Sequence, residues 1–407
     1  MVFVVAIVAV ALIAVRPKGL PMWAWPLGAA VLIVALRYEA PAAAFEAIVR
    51  QWNVLLFILG LMGLSAAAEE SGAFAWLTDV LLARAGGSRR RLFVLLFVAG
   101  ALTTLVLSND ATAIVLTPIV YAAVSRRGGD PMPYLFACIF VAGTASFGLP
   151  FSNPANVLIL PRAQIVDYVV HLGPPEIVAI GLNLALFLLI FRRSLRGRYA
   201  FEPVEPPSAS AVRTLWAFAG VGTAYAVALT FSWPLGPVAA IAAIATLAIA
   251  RVGVASAARH VSWSTFALLG ALFVLLDAVA HAGFVPWVLA QLETTARYGN
   301  LAVIAWASGG AALASNLLNN LPVAIAASYV VAHDPSQQVA YPLIVGVDLG
   351  PNLTTTGSLA TILWIAVLAK RGVRVNPLEY LRLGAIVVPP TIAVAAVWLW
   401  LLRDAVR

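Results

Sequence analysis

Four short polar segments interrupt long apolar stretches of this chain. They are Ser108-Asn109-Asp110, Asn316 to Asn320, Gly148-Leu149-Pro150-Phe151-Ser152-Asn153-Pro154 and Gly350-Pro351-Asn352-Leu353-Thr354-Thr355-Thr356-Gly357. Asn side chains both donate and accept hydrogen bonds, and Ser and Thr hydroxyls do likewise. Broken helices add free N–H groups at their N-termini and free carbonyls at their C-termini. Ser108, Asn109, Asn153, Asn156, Asn319, Asn320, Asn352 and Thr354 are therefore candidate substrate-binding groups. Their chemistry suits reversible capture of a small polyhydroxylated or mildly anionic solute. Asp110 and Asp348 adjoin the interruptions and are the candidate proton-coupling groups. Each also has a plain structural reading, Asp110 as a helix cap and Asp348 as a hydrogen-bonded anchor.

The surroundings of these residues fix the class of protein. Of 407 residues, 62% are hydrophobic and only 10% are charged, against roughly 25% charged in soluble domains. That excludes a soluble enzyme, a disordered chain and a collagen-like fibre, and points to an all-α polytopic membrane protein in a cell's inner (cytoplasmic) membrane. A carboxylate inside such a membrane costs several kcal/mol and is a functional candidate by default. The net charge of +8 comes from arginine clusters between apolar stretches. This is the positive-inside pattern of a membrane protein, and no nucleic-acid partner is expected. One cysteine, Cys138, excludes a disulfide framework or a multi-thiolate metal site. No metal and no cofactor are expected, and His333 beside Asp334 is read as a loop pair. The motifs H-E-x-x-H, G-x-x-x-x-G-K-[ST] and G-x-S-x-G are absent from the sequence, so the chain reads as a transporter and not an enzyme. The apolar N-terminus reads as a retained span, since it lacks a basic leader and a cleavage site.

Candidate spans cover about 2–16, 22–37, 52–69, 132–168, 176–192, 213–231, 235–250, 262–278, 340–369 and 382–402. Regions 92–125 and 300–332 instead read as re-entrant hairpins around polar tips. Arg89 to Arg91 precede the first and Arg126-Arg127 follow it, which places both its ends in the cytoplasm. The second lacks this dressing and should enter from the other side, leaving both termini extracytoplasmic. Trp52 and Gly72 bracket the same interval as Trp263 and Gly283. Matching hairpins and matching breaks follow in each half, which reads as two inverted repeats. Interrupted helices at corresponding positions of such repeats point to a secondary transporter's site. The expected organisation is N-terminal scaffold helices over 1–45 and a first repeat over 46–193. A cytoplasmic linker with connecting helices covers 194–258, and a second repeat covers 259–407. Asp277 and His281 read as interfacial, Glu69 and Glu70 as a solvated helix end, and His171, His260 and His333 as loop residues.

Ser108-Asn109-Asp110-Ala111-Thr112, Leu149 to Asn156, Asn319-Asn320-Leu321-Pro322, and Val347-Asp348-Leu349-Gly350-Pro351-Asn352-Leu353 with Gly357-Ser358-Leu359-Ala360-Thr361 resemble the signature segments of the ArsB arsenite/antimonite permeases of the ion transporter superfamily. The likeness is strongest over 100–160 and 310–370. The resemblance implies two inverted repeats, a scaffold with a mobile transport domain, and often a homodimer. It also implies extrusion of As(III) and Sb(III) hydroxides in exchange for protons, in some members with a cytoplasmic ArsA-type ATPase attached. Arsenous acid, with its three hydroxyls, matches the hydrogen-bonding groups quoted above. The alternatives are a sodium/proton antiporter of the same superfamily, a dicarboxylate symporter or a passive channel. The dicarboxylate reading is weakened because neither hairpin tip carries Arg or Lys.

Overall fold

The computed structural model describes residues 1–15, 21–200, 204–334 and 339–405. Helices α1 (Val2–Val15), α2 (Ala24–Ala35) and α3 (Pro41–Arg50) lead into α4 (Trp52–Glu70) and α5 (Ala73–Arg84). The first hairpin is α6 (Arg89–Val106) and α7 (Asn109–Ser125), the latter with a π turn at Thr112–Leu116. A broken helix follows as α8 (Met132–Thr144) and α9 (Pro154–Ile159), then α10 (Ile165–Ile190). After α11 (Ala209–Thr230), α12 (Leu235–Ala250) and α13 (Val254–His260), the second half runs through the same succession. It comprises α14 (Trp263–Val279), α15 (Val285–Ala296), the hairpin α16 (Asn300–Leu318) and α17 (Asn320–His333), the broken pair α18 (Ala340–Leu349) and α19 (Leu359–Ala369), and α20 (Pro377–Ala405). The described residues form no strand of more than one isolated bridge. Gly72 and Gly283, aligned from the sequence, both have left-handed backbones, at φ +72° and +105°. Only glycine adopts these angles without strain, and in each half one of them turns the chain between two helices.

Within the described residues, six helical stretches are long and apolar enough to cross a membrane. This is a multi-pass membrane protein. Several other apolar helices run only 10–17 residues, including α7, α8, α17 and α19. These are the half-helices of the hairpins and breaks. Spans 132–168 and 340–369 are thus each two short helices around an irregular turn. Four helices outside the expected spans, α3, α5, α13 and α15, occupy connections. Amphipathic α3 buries Ala44 and Ala47 while Phe45 is exposed, as suits a helix lying at an interface.

One expectation is overturned at residues 169–175. The His171-Leu172-Gly173-Pro174-Pro175 stretch reads as a loop, yet α10 continues through it and His171 is helical. Proline normally removes the hydrogen bond to the carbonyl four residues back. Here that carbonyl, Val170, accepts a hydrogen bond from Trp398 Nε1 of α20 at 3.3 Å. A neighbouring helix satisfies the freed group, which is how proline survives inside membrane helices. His260 and His333 are the last residues of α13 and α17.

Small residues let the helices approach closely. A methyl group added at Gly60 would meet Ala239 backbone atoms, and one at Gly63 would meet Ala243, so α4 and α12 pack backbone to backbone. Gly236 N–H donates to Asn53 Oδ1 at 2.8 Å and pins the same pair. In the second half, Gly346 and Gly350 lie against Ser308 and Ala312 of α16. In lipid this packing replaces the hydrophobic drive between helices.

Candidate functional site

Both halves build the same junction between a hairpin tip and a break. In the first, the Asn109 N–H donates to the Ser152 carbonyl at 3.1 Å; in the second, Asn320 N–H donates to the Gly357 carbonyl at 2.8 Å. The residue after each of these carbonyls caps a half-helix. Asn153 Oδ1 accepts from Ala155 N–H at 3.0 Å, and Ser358 Oγ accepts from Ala360 N–H at 3.1 Å. At the tips, Ser108 Oγ accepts from Ala111 N–H and Asn319 Oδ1 from Leu321 N–H. These caps satisfy N–H groups that membrane depth would otherwise leave unpaired.

The result is a convergence of four helix N-termini. A cavity of about 10 Å³ is lined by Asn109 and Asp110 of α7, Asn153 and Pro154 at α9, Asn320 and Leu321 of α17, and Ser358 and Leu359 at α19. Ile58 of α4 and Thr265 of α14 complete the wall. Such a volume holds about one water, so the centre is closed around a space smaller than any solute. Helix N-termini carry partial positive charge, a field that favours electron-rich oxygen. Asn320 Oδ1 is buried with no hydrogen-bond partner among the described residues, leaving an acceptor free at the wall. Among the described contacts, no hydrogen bond engages the Asp110 carboxylate, while its backbone N–H donates to Asn109 Oδ1 at 2.8 Å.

A second cavity of about 270 Å³ adjoins the first and shares Ile58, Asp110, Pro154, Thr265 and Leu359 with it. It passes Ser108, Ser65 and Ile114 and reaches Glu69, His260 and Lys370. The centre therefore has a path to one end of the bundle. Glu69 and Glu70 are exposed there, as expected of a solvated helix end, with His260 Nε2 3.6 and 3.7 Å away.

The remaining candidates lie behind the wall. Asp348 is buried, and its Oδ1 accepts from Asn153 Nδ2 at 2.7 Å while its Oδ2 accepts from Ser146 Oγ at 3.1 Å. It thus touches the cavity through Asn153. Asn156 Nδ2 donates to the Ser146 and Leu149 carbonyls at 2.8 and 3.2 Å. Asn352 Nδ2 donates to the Phe140 carbonyl at 3.0 Å, tying the second break to α8. Thr354 Oγ1 donates to Asn316 Oδ1 at 2.8 Å, and Asn319 Nδ2 to the Thr356 carbonyl at 3.1 Å. Asn156, Asn319, Asn352 and Thr354 are absent from the described wall of the small cavity; they hold the breaks in shape.

Sequence reasoning missed Glu176. Its buried carboxylate accepts from Phe147 N–H at 3.0 Å and Gly148 N–H at 2.7 Å, fixing the first break from α10. A Cβ at Gly148 would collide with that carboxylate. The available signal was a lone acid within the long apolar run 168–191. Asn183, also missed, donates to Thr144 Oγ1 at 2.7 Å beside Asn352. Asp277 lies near the end of α14, as its sequence position suggests, but is fully buried in the protein, whereas His281 one turn on is exposed.

Comparison with known proteins places this arrangement. Residues 4–347 match the CitMHS family, described as "Citrate transporter". An arsenical pump membrane protein of Yersinia enterocolitica is 29% identical over 365 residues, covering 84% of this chain and 85% of that protein. One of Escherichia coli (strain K12) is 28% identical over 417 aligned positions, covering 97% and 96%. These relatives agree with the resemblance carried by the motifs. Among solved structures, the Alcanivorax borkumensis YdaH transporter aligns with a TM-score of 0.55 at 15% identity, over 89% of this chain and 88% of that one. Neisseria gonorrhoeae MtrF aligns with a TM-score of 0.53 at 14% identity, over 90% and 84%. Both share the fold.

Proposed function

Because the chain belongs to the CitMHS family and is a membrane transporter, we propose that it extrudes arsenite, and antimonite, from the cytoplasm in exchange for protons. The observation that carries the reading is the convergence of four helix N-termini on one Asn- and Ser-lined cavity with Asp110 in its wall. An uncharged oxyacid with three hydroxyls can donate to Asp110 and to the free Asn320 oxygen. It can also accept from the amides and from the helix ends. Citrate, the substrate in the family's description, is a poor match on electrostatic grounds. The described lining contains no Arg or Lys and already contains a carboxylate. The names of the arsenical pump relatives support the same choice.

In this proposal the two halves, 46–193 and 259–407, are inverted repeats, and 1–45 with 194–258 supply scaffold. Positive-inside orientation puts Lys370 and the Arg126-Arg127 end in the cytoplasm of an inner membrane. The 270 Å³ cavity is then the loading path from the cytoplasm. Asp110 meets the solute directly, and Asp348 acts on it through Asn153. Protonation of a carboxylate withdraws an acceptor from the substrate, so a proton arriving from outside favours release there. The tips stay shielded because each moves together with the break it is bonded to. Expression in an arsenite-sensitive bacterial host tests the reading. Cells carrying the wild-type gene should accumulate less arsenite and grow at higher arsenite than cells with an empty vector. Equal accumulation, with the protein present in the membrane, would refute it.

A further inference from the structure

The far end of α14 carries a second cluster that the transport site does not use. Asp277 is fully buried. Its Oδ1 accepts from Tyr329 Oη of α17 at 2.6 Å and lies 4.0 Å from Arg50 Nη1. Its Oδ2 is buried without any hydrogen bond among the described residues and faces His281 Nδ1 at 3.4 Å. Glu39, 7% exposed, approaches from the α2–α3 connection. One ligand atom each from Glu39, Asp277 and His281 lies within 4.8 Å of the others. Arg50 does not balance the two carboxylates, since it is half exposed and shared with Glu46 at 3.5 Å. A cation seated between the two buried carboxylates would offset their mutual repulsion and give Asp277 Oδ2 a partner.

We propose that Glu39, Asp277 and His281 bind a divalent transition-metal ion of the Zn²⁺ type, with water as the fourth ligand. One imidazole nitrogen and two carboxylate oxygens form a donor set that zinc accepts in tetrahedral geometry. Ligand atoms about 2.0–2.1 Å from zinc stand roughly 3.3 Å apart. Asp277 Oδ2 and His281 Nδ1 already match this spacing at 3.4 Å, and the widest separation must close by at most about 1.5 Å. The His281 ring can turn to meet an ion, giving up the contact of its Nδ1 with the Asp277 carbonyl at 3.0 Å, because its side chain is 68% exposed and sits on the π turn Ala280–Phe284. Ca²⁺ prefers six to eight oxygens and Mg²⁺ an octahedral shell, so neither matches three ligands that include nitrogen. The bound ion would tie the α2–α3 connection to α14 and, through Asp277 and Tyr329, to the second hairpin.

The test is equilibrium dialysis of the purified full chain against Zn²⁺ after chelator treatment, with bound metal read by mass spectrometry. The wild type should hold one equivalent per chain that tenfold excess Mg²⁺ does not displace. Glu39→Gln and His281→Ala, both away from the transport cavity, should each weaken binding at least tenfold while melting like the wild type without metal. His260→Ala, at the other end of the bundle, should keep the equivalent. Lack of stoichiometric binding, unchanged affinity in Glu39→Gln or His281→Ala, or its loss in His260→Ala would overturn the site.

Discussion

Replacing Asp348 by Asn separates the charge of the carboxylate from its shape. The carboxylate accepts two hydrogen bonds, from Asn153 Nδ2 and from Ser146 Oγ. An amide can keep both, presenting its oxygen to Asn153 and its N–H₂ to Ser146. The Ser146 hydroxyl can accept from that amide by turning its single proton to the Gly143 carbonyl, 3.0 Å away. Loss of charge assistance is worth about 1 kcal/mol per bond, or about 2 kcal/mol for the pair, and relief of a buried charge offsets it. Asp348→Asn should therefore fold with a stability within about 1 kcal/mol of the wild type. Asp348→Ala instead leaves the buried Asn153 Nδ2 unpaired at about 1–3 kcal/mol, while Ser146 turns to the Gly143 carbonyl, and it should melt lower. In everted membrane vesicles, Asp348→Asn should lose proton-driven arsenite uptake to background, yet arsenite should still protect it from heat. Wild-type uptake with wild-type pH dependence in a normally folded Asp348→Asn protein would refute the coupling argument.

Asp110→Asn removes no side-chain hydrogen bond formed by the carboxylate, so its melting temperature should match the wild type while vesicle uptake loses its dependence on the proton gradient; retained dependence would count against Asp110 meeting the solute. Asn320→Ala removes the free acceptor at the wall and should weaken arsenite transport by about 0.5–1.5 kcal/mol, roughly two- to tenfold, measured as initial uptake rate. Glu176→Gln should preserve the melting temperature because the amide oxygen still accepts from Phe147 and Gly148, whereas Glu176→Ala orphans both N–H groups and should destabilise by about 2–6 kcal/mol. Phe151 of the first break stacks on Tyr225 of α11 with ring centroids 4.7 Å apart. A bifunctional reagent joining cysteines placed at these two positions should stop transport, and full activity of the joined protein would contradict movement of the break against the scaffold.

Much of this was legible in the sequence because membrane depth makes irregular backbone conspicuous. Gly, Pro and Asn inside apolar runs marked both tips and both breaks, and the Gly72–Gly283 correspondence extends to their left-handed angles. Pro174-Pro175 misled, since their effect depends on Trp398, more than 220 residues away, satisfying the freed carbonyl. The role of Glu176 was hidden for a similar reason. A single acid in an apolar run shows no partner until folding brings the first break to it. The division of the polar residues into wall and support was also beyond sequence. Asn153 and Asn156 differ by three positions, yet one faces the cavity and the other bonds back to its own loop.

Arsenite uptake into proteoliposomes of the purified protein, with proton and sodium gradients imposed separately, tests the central claim most directly. The account predicts uptake driven by a proton gradient alone, unaffected by sodium and reduced in Asp110→Asn. Uptake driven by sodium alone, arsenite flux that ignores both gradients, or no arsenite flux from a correctly folded protein would contradict it.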